Sequence, residues 1–372
     1  MGDNLQEVTL ALDWTPNTNH LGFYYAKALG LYAKAGLAVK FLSTDDPVYQ
    51  GSYLPSAAGG ADAAKGSPTA PPQPEAYATP CSRVAAGLAT FAINSPEGVV
   101  NWNTSAPGRP ALKAIAAILQ EQTSAIVTTK ASGLSRPRDL DGKVYASYAA
   151  RFEGRIVQKM IMADGGRGEF EESTPPMLGI FDTILAGKAD ATWVFMGWEG
   201  VIAARAGVEL NSFYPQDFGV PYPYAPCLVA HPDVLAAQPD VVSAFLRASA
   251  EGWRAAAASP ADAARALIKL AAEDSSAQLD AAVVEDSAAF VAGRCLDPAG
   301  RWGVMEAAKW DEYIDWLVDS GLLTTALQSR HPDAAADRVS LDDLREGWAG
   351  DPIARDAVPT VFTNDFLPMG NT

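Results

Sequence analysis

"VTLALDWTPNTNHLGFYYAKALGLYAKAGLAVKFLST", residues 8–44, decides the fold. Its first five residues, Val8 to Leu12, form the apolar run of a buried strand. From Leu21 apolar residues recur at helical spacing, with a glycine stop at Gly36, and "LAVKFLST" supplies a second apolar run. Strand, helix and strand joined by short connections make a β-α-β unit, the opening of a parallel α/β sheet. Between the first strand and the helix lies a polar turn that crowds Asp13, Trp14, Asn17, Asn19 and His20, one of only three histidines in the chain. Open α/β sheets bind ligands beyond the carboxyl ends of their strands, so this turn is the first place to look for a site.

Outward from this unit, residues 56–80, "SAAGGADAAKGSPTAPPQPEAYATP", are rich in Ala, Gly and Pro and lack apolar periodicity, which reads as a surface insertion. The sheet pattern resumes at "GLATFAI", "ALKAIAAIL" and "SAIVTTK". A second α/β series then starts with "RDLDGKVYAS" and continues through "GIFDTILAGKADATWVFMGWEGVIAARAG". "LNSFYPQDFGVPYPYAPCLVAH" reads as a crossing strand that brings the chain back, and the remainder is mainly helical, with a break and restart at Ser259–Pro260. At 372 residues the chain exceeds what one hydrophobic core usually serves. Two lobes are expected, one of residues 1–122 plus 226–372 and the other of residues 123–225.

A net charge of −16 opposes a nucleic-acid backbone or an anionic membrane surface as partner. No apolar run approaches the roughly 18 residues of a membrane-crossing helix, and no leader is visible at the start, so neither direct membrane insertion nor a compartment is read from the sequence. A cytoplasmic protein and an exported chain without its leader would look alike. Cys81, Cys227 and Cys295 are odd in number and have no metal-type spacing, which suits incidental thiols. No Ser-His-Asp order, H-E-x-x-H motif or phosphate-cradling glycine loop stands out, and no metal is expected.

The stretches "LDWTPNTNH", "RDLDGKVYAS", "ILAGKADATWVF", "DFGVPYPYAPCLVAHPDVL" and "VFTNDFL", in this order, resemble the NMT1/THI5-like family over nearly the whole chain outside the insertion. That family includes binding proteins for thiamin pyrimidine precursors, related sulfonate and nitrate binding proteins, and a fungal pyrimidine synthase. The resemblance implies an α/β type II periplasmic-binding fold, with two lobes and a ligand cleft between them. It also implies a small-molecule aminopyrimidine as ligand, with an ABC-type transporter as a further partner.

On that reading the ligand-binding set is Trp14, Asn17, His20, Ser95, Trp198, Glu199, Tyr222 and Tyr224. Trp14 offers a flat apolar face to a heteroaromatic ring. Asn17 and His20 suit directional polar contacts, while Asn17 equally suits a helix cap. Glu199 stands where pyrimidine-binding relatives carry an acid, and a carboxylate accepts from an exocyclic amine. Its position also suits the macrodipole at a helix start. "RFEGRIV" resembles the start of the synthase's phosphate-holding helix, which makes Arg151, Gly154 and Arg155 a candidate anion site.

The synthase itself uses a lysine that holds pyridoxal phosphate, a histidine consumed as substrate and a cysteine-rich run. Here the corresponding places are Asn94, Gly98 and the cysteine-free "PYPYA". An amide forms no Schiff base and a glycine donates no imidazole atoms. The expectation is therefore a binding protein without cofactor. An enzyme of thiamin pyrimidine biosynthesis or salvage, and a carrier of a sulfonate or nitrate, are the alternatives.

Overall fold

The computed structural model describes residues 5–44, 79–105, 108–148, 150–175, 179–275, 277–325 and 350–368. Strand β1 (Gln6–Ala11) leads through the polar turn into helices α1 (Leu21–Ala28) and α2 (Leu31–Lys34), and β2 (Leu37–Leu42) returns parallel to it. The single helix expected up to Gly36 is thus two. Gly30 sits between them at φ 68°, a left-handed conformation that a residue with a Cβ adopts only under strain and that ends α1. Next come α3 (Pro80–Ala85), β3 (Phe91–Asn94), α4 (Pro96–Thr104) and β4 (Lys113–Ala117). Residues 56–78 of the expected insertion lie outside the described residues. Its carboxyl end is shorter than expected, because Thr79 caps α3 and Pro80 is buried as its first residue.

The second series runs β5 (Ser124–Thr129), β6 (Val144–Ala146), α5 (Glu153–Ala163), β7 (Glu171–Ser173), α6 (Ile180–Leu185), β8 (Ala191–Phe195), α7 (Glu199–Arg205) and β9 (Leu210–Phe213). The chain then passes to β10 (Cys227–Ala230) and a helical remainder of α8 (Pro232–Ala237), α9 (Pro239–Ala258), α10 (Pro260–Asp274), α11 (Ala281–Ala292) and α12 (Ala307–Asp319).

Two five-stranded sheets result, ordered β2-β1-β3-β10-β4 and β7-β6-β8-β5-β9. They repeat one plan. In each, one antiparallel strand, β10 or β5, lies between two neighbours, and in each it is the strand the chain enters on crossing from the other sheet. The stretch expected as one crossing strand is two strands in different sheets, because Pro215, Pro221, Pro223 and Pro226 lack the N–H groups a ladder needs. "VFTNDFL" returns to the first sheet, where Phe362 bridges Ala114 of β4.

The first sheet is covered by α1 and α9, whose buried residues Val242, Phe245, Leu246, Ser249, Trp253 and Ala256 follow helical spacing. Phe23 of α1 meets the edge of Trp253 and of Trp302. This pair of helices approaches so closely that a Cβ on Gly252 would lie 2.4 Å from the Gly22 carbonyl oxygen and 2.5 Å from Ala26 Cβ. Because backbone stands in the way, Gly252→Ala is expected to cost roughly 1–3 kcal/mol. A thermal midpoint equal to wild type would show that the helices have slack.

Candidate functional site

Strand ends of both sheets converge on a cavity of about 210 Å³. From the first sheet the β1 end brings Asp13 and Trp14, and the β3 end brings Asn94, Ser95 and Glu97. From the second, the β6 end brings Tyr148 and Glu153, and the β8 end brings Trp193, Phe195, Trp198 and Glu199. The two crossing segments close the sides with Gln122 and Ser124 on one and Tyr222 and Tyr224 on the other.

The expected residues divide into two groups. Trp14, Asn17, Ser95, Trp198, Glu199, Tyr222 and Tyr224 all line the cavity, whereas His20 does not. His20 is fully buried one contact behind it: its Nδ1 accepts the Asn17 N–H at 3.3 Å, which leaves Nε2 to donate to Asp13 Oδ1 at 2.8 Å. The histidine therefore orients Asp13, and Asp13 is the group that reaches the cavity. Asn17 has its amide engaged in the turn, where Oδ1 accepts from the Asn19 N–H at 2.8 Å and Nδ2 donates to the Thr15 carbonyl at 2.9 Å. Ser95 similarly caps α4 by accepting from the Gly98 N–H at 2.9 Å. The Tyr224 hydroxyl accepts from the Glu306 N–H at 2.7 Å, so its ring is fixed as wall.

Aromatic faces come from both sides. Trp14 meets Tyr148 edge-on at 5.9 Å. Trp193 is held by its Nε1 donating to Ser124 Oγ at 2.6 Å and lies 5.8 Å from the Tyr222 ring.

Glu199 opens α7, and its Oε2 accepts the Phe195 N–H at 3.0 Å. Desolvation among the cavity walls pushes its carboxyl up to about 7, against the lowering effect of these backbone N–H groups. Glu97 was not foreseen as a cavity residue. It is 6% exposed and also pushed up to about 7, first by desolvation and then by the charge of Glu153. Its Oε1 accepts the Phe152 N–H at 3.0 Å, a bond between the two sheets' loops. Glu153, likewise unforeseen, is 2% exposed. It accepts from the Tyr145 hydroxyl at 2.7 Å and from the N–H groups of Tyr148 at 3.1 Å and Ala150 at 3.2 Å, and burial raises its carboxyl as well. The cavity lining thus holds four carboxyl groups and, among the described residues, no lysine, arginine or histidine.

The expected anion-site residues Arg151, Gly154 and Arg155 stand at and just before the start of α5, outside the cavity lining. The Arg151 guanidinium is buried and donates to Thr104 Oγ1 at 2.7 Å, Asn101 Oδ1 at 3.4 Å and the Thr324 carbonyl. A Cβ on Gly154 would lie 2.5 Å from the carboxylate of Glu172, and Glu153 takes up the loop N–H groups before α5.

At the place of the synthase lysine, Asn94 donates from Nδ2 to Cys81 Sγ at 2.9 Å and accepts the Ser95 N–H at 2.9 Å. A Cβ on Gly98 would stand 2.3 Å from Asn94 Oδ1, so that position leaves no room for a histidine without moving Asn94. Incubation with pyridoxal phosphate and iron is expected to give neither Schiff-base absorbance nor a pyrimidine product. Either signal would overturn a binding-only reading.

Among the described residues no helix is long and apolar enough to cross a membrane. A family model described as NMT1/THI5 like matches residues 17–64 and 71–263. A formylaminopyrimidine-binding protein of Halalkalibacterium halodurans is 23% identical, over 84% of this chain and 85% of its own. Of solved structures, the alkanesulfonate-binding protein SsuA from Xanthomonas axonopodis pv. citri, bound to MOPS, matches with a TM-score of 0.59 at 12% identity, over 85% of this chain and 93% of that one. A Candida albicans protein described as exhibiting the generic periplasmic binding protein structural fold matches with a TM-score of 0.55 at 12% identity, over 99% of each chain. The fold is that of the periplasmic binding proteins.

Proposed function

The chain belongs to the NMT1/THI5-like family, and from that premise we propose that it binds a thiamin-related 4-aminopyrimidine in the cavity between its sheets, serving uptake or salvage of the thiamin pyrimidine. The observation that carries the reading is the cavity's lining: tryptophans and tyrosines to stack on a ring, and carboxyl groups with, among the described residues, no lining cation. A 4-aminopyrimidine complements such a lining with a flat π-system to stack and an exocyclic amine to donate. The named ligand of the Halalkalibacterium halodurans relative supports the same class. A sulfonate or nitrate would find carboxyl groups in this lining and, among the described residues, no cation to balance its charge, so the SsuA likeness bears on fold alone.

The reading extends to lobes of residues 1–122 plus 226–372 and of residues 123–225, closing on the ligand, and to an ABC-type importer as recipient. The direct test is a thermal-shift screen of thiamin, its hydroxymethyl, aminomethyl and formylaminomethyl pyrimidine precursors, alkanesulfonates and pyridoxal phosphate. A ligand at about 100 times its Kd adds roughly 2.7 kcal/mol of stability, a shift easily read. A pyrimidine precursor is expected to raise the midpoint. A rise with a sulfonate alone would reverse the assignment.

A further inference from the structure

The four cavity carboxyl groups do not all serve one ligand contact. Glu199 belongs to the β8 end, whereas Glu97 and Glu153 line the cavity from the β3 and β6 ends, close enough for the charge of Glu153 to act on Glu97. Their joint position is fixed by the bond from the Phe152 N–H to Glu97 Oε1. Glu153 is well supplied with donors, namely the Tyr145 hydroxyl, the N–H groups of Tyr148 and Ala150 and the Ser147 side chain. Glu97 is not: its Oε2 has the Tyr222 hydroxyl at 3.5 Å, a marginal bond.

The other groups around the pair are Arg151 beside α5, Tyr145 on β6, Tyr222 on the crossing segment and Tyr313 on α12. Of these only Arg151 carries positive charge, and the hydrogen bonds of its guanidinium go to Thr104, Asn101 and Thr324 rather than to either carboxylate. Two buried acids lie near one cation, and burial together with the charge of Glu153 pushes the Glu97 carboxyl up to about 7, so it holds its proton below that pH. No group of three His, Cys, Asp or Glu among the described residues is placed to hold a metal ion.

We propose that the Glu97–Glu153 pair selects, among 4-aminopyrimidines, one whose ring substituent carries a primary ammonium, while Glu199 reads the amine on the ring. This rests on the aminopyrimidine reading of the same cavity. The ammonium takes the place of the Glu97 proton. When the ligand arrives already charged, that proton passes to solvent; when it arrives as the free amine, the proton passes from Glu97 to the amine nitrogen. Neutral hydroxymethyl and formylaminomethyl substituents do not supply the missing charge.

The test is calorimetric titration of the full chain with the aminomethyl, hydroxymethyl and formylaminomethyl pyrimidines. The aminomethyl ligand is expected to bind at least about tenfold more tightly than the other two near pH 7.5, as befits a charge-assisted bond in a buried site. The preference should shrink towards about pH 5.5, where Glu97 holds its proton. Glu97→Gln should bring the aminomethyl ligand to within about threefold of the hydroxymethyl one.

Should that variant fail to fold, the wild-type ligand ranking and its pH dependence still decide. Equal or tighter binding of a neutral precursor overturns the ammonium selection and leaves the aminopyrimidine reading standing. An equal loss for every ligand in Glu97→Gln assigns that residue a purely structural role and overturns the selection too. No binding of any of the three refutes both readings.

Discussion

Glu199→Gln is expected to weaken binding of a 4-aminopyrimidine by about ten- to a hundredfold, the cost of roughly 1–3 kcal/mol for a buried charge-assisted bond reduced to a neutral one. The substitution keeps size and leaves an oxygen for the Phe195 N–H, so the α7 start should hold its shape. Stability should move the other way. The fold raises the Glu199 carboxyl from 4.5 to about 7, so it prefers the protonated form. That contribution is fully present below 4.5 and is lost as the pH rises through about 7. At about pH 8 the empty Glu199→Gln protein should therefore unfold at a temperature no lower than wild type, and the gap should close on acidification. Lower stability at every pH, with affinity unchanged, would make Glu199 a helix-start residue and nothing more.

Trp14→Ala is expected to cost about tenfold or more in affinity, from lost stacking of roughly 0.5–1.5 kcal/mol on top of the apolar area no longer buried. The side chain is partly buried and packs edge-on against Tyr148, across from the other sheet's loops. A partly buried ring at a strand end contributes less to the core than Trp253 or Trp302, both almost wholly buried under the first sheet. The variant should stay folded. Unfolding of Trp14→Ala would assign the ring to the core, and wild-type affinity would remove it from the binding surface.

The residues that were legible in the sequence are those whose local and global signals agree. The apolar runs of β1, β2, β3, β4 and β5 are strands because burial on both faces requires such runs. The break at Ser259–Pro260 separates α9 from α10, as a missing N–H requires. The turn after β1 points at the cavity because it follows a strand's carboxyl end.

What stayed hidden was hidden for a physical reason. Glu97 and Glu153 each sit in the first turn of a helix, Glu97 just after Ser95 and Pro96, where an acid is expected from the macrodipole alone. The same disguise covers Glu199, which only the resemblance singled out. That the acids of α4 and α5 face one cavity depends on how the two sheets meet, which no local pattern encodes. In "RFEGRIV" the arginines suggest an anion site, while the glutamate between them is the residue that lines the cavity. His20 misled in the opposite way, since a lone histidine at a strand end looks like a ligand contact and here serves Asp13.

The central claim is that the acidic, aromatic cavity takes an aminopyrimidine and refuses an anion. Isothermal titration of the purified chain with a thiamin pyrimidine precursor, and separately with an alkanesulfonate, tests it most directly. The account predicts saturable one-to-one binding of the pyrimidine and no heat of binding from the sulfonate. Saturable sulfonate binding, with no response to the pyrimidine, would contradict it.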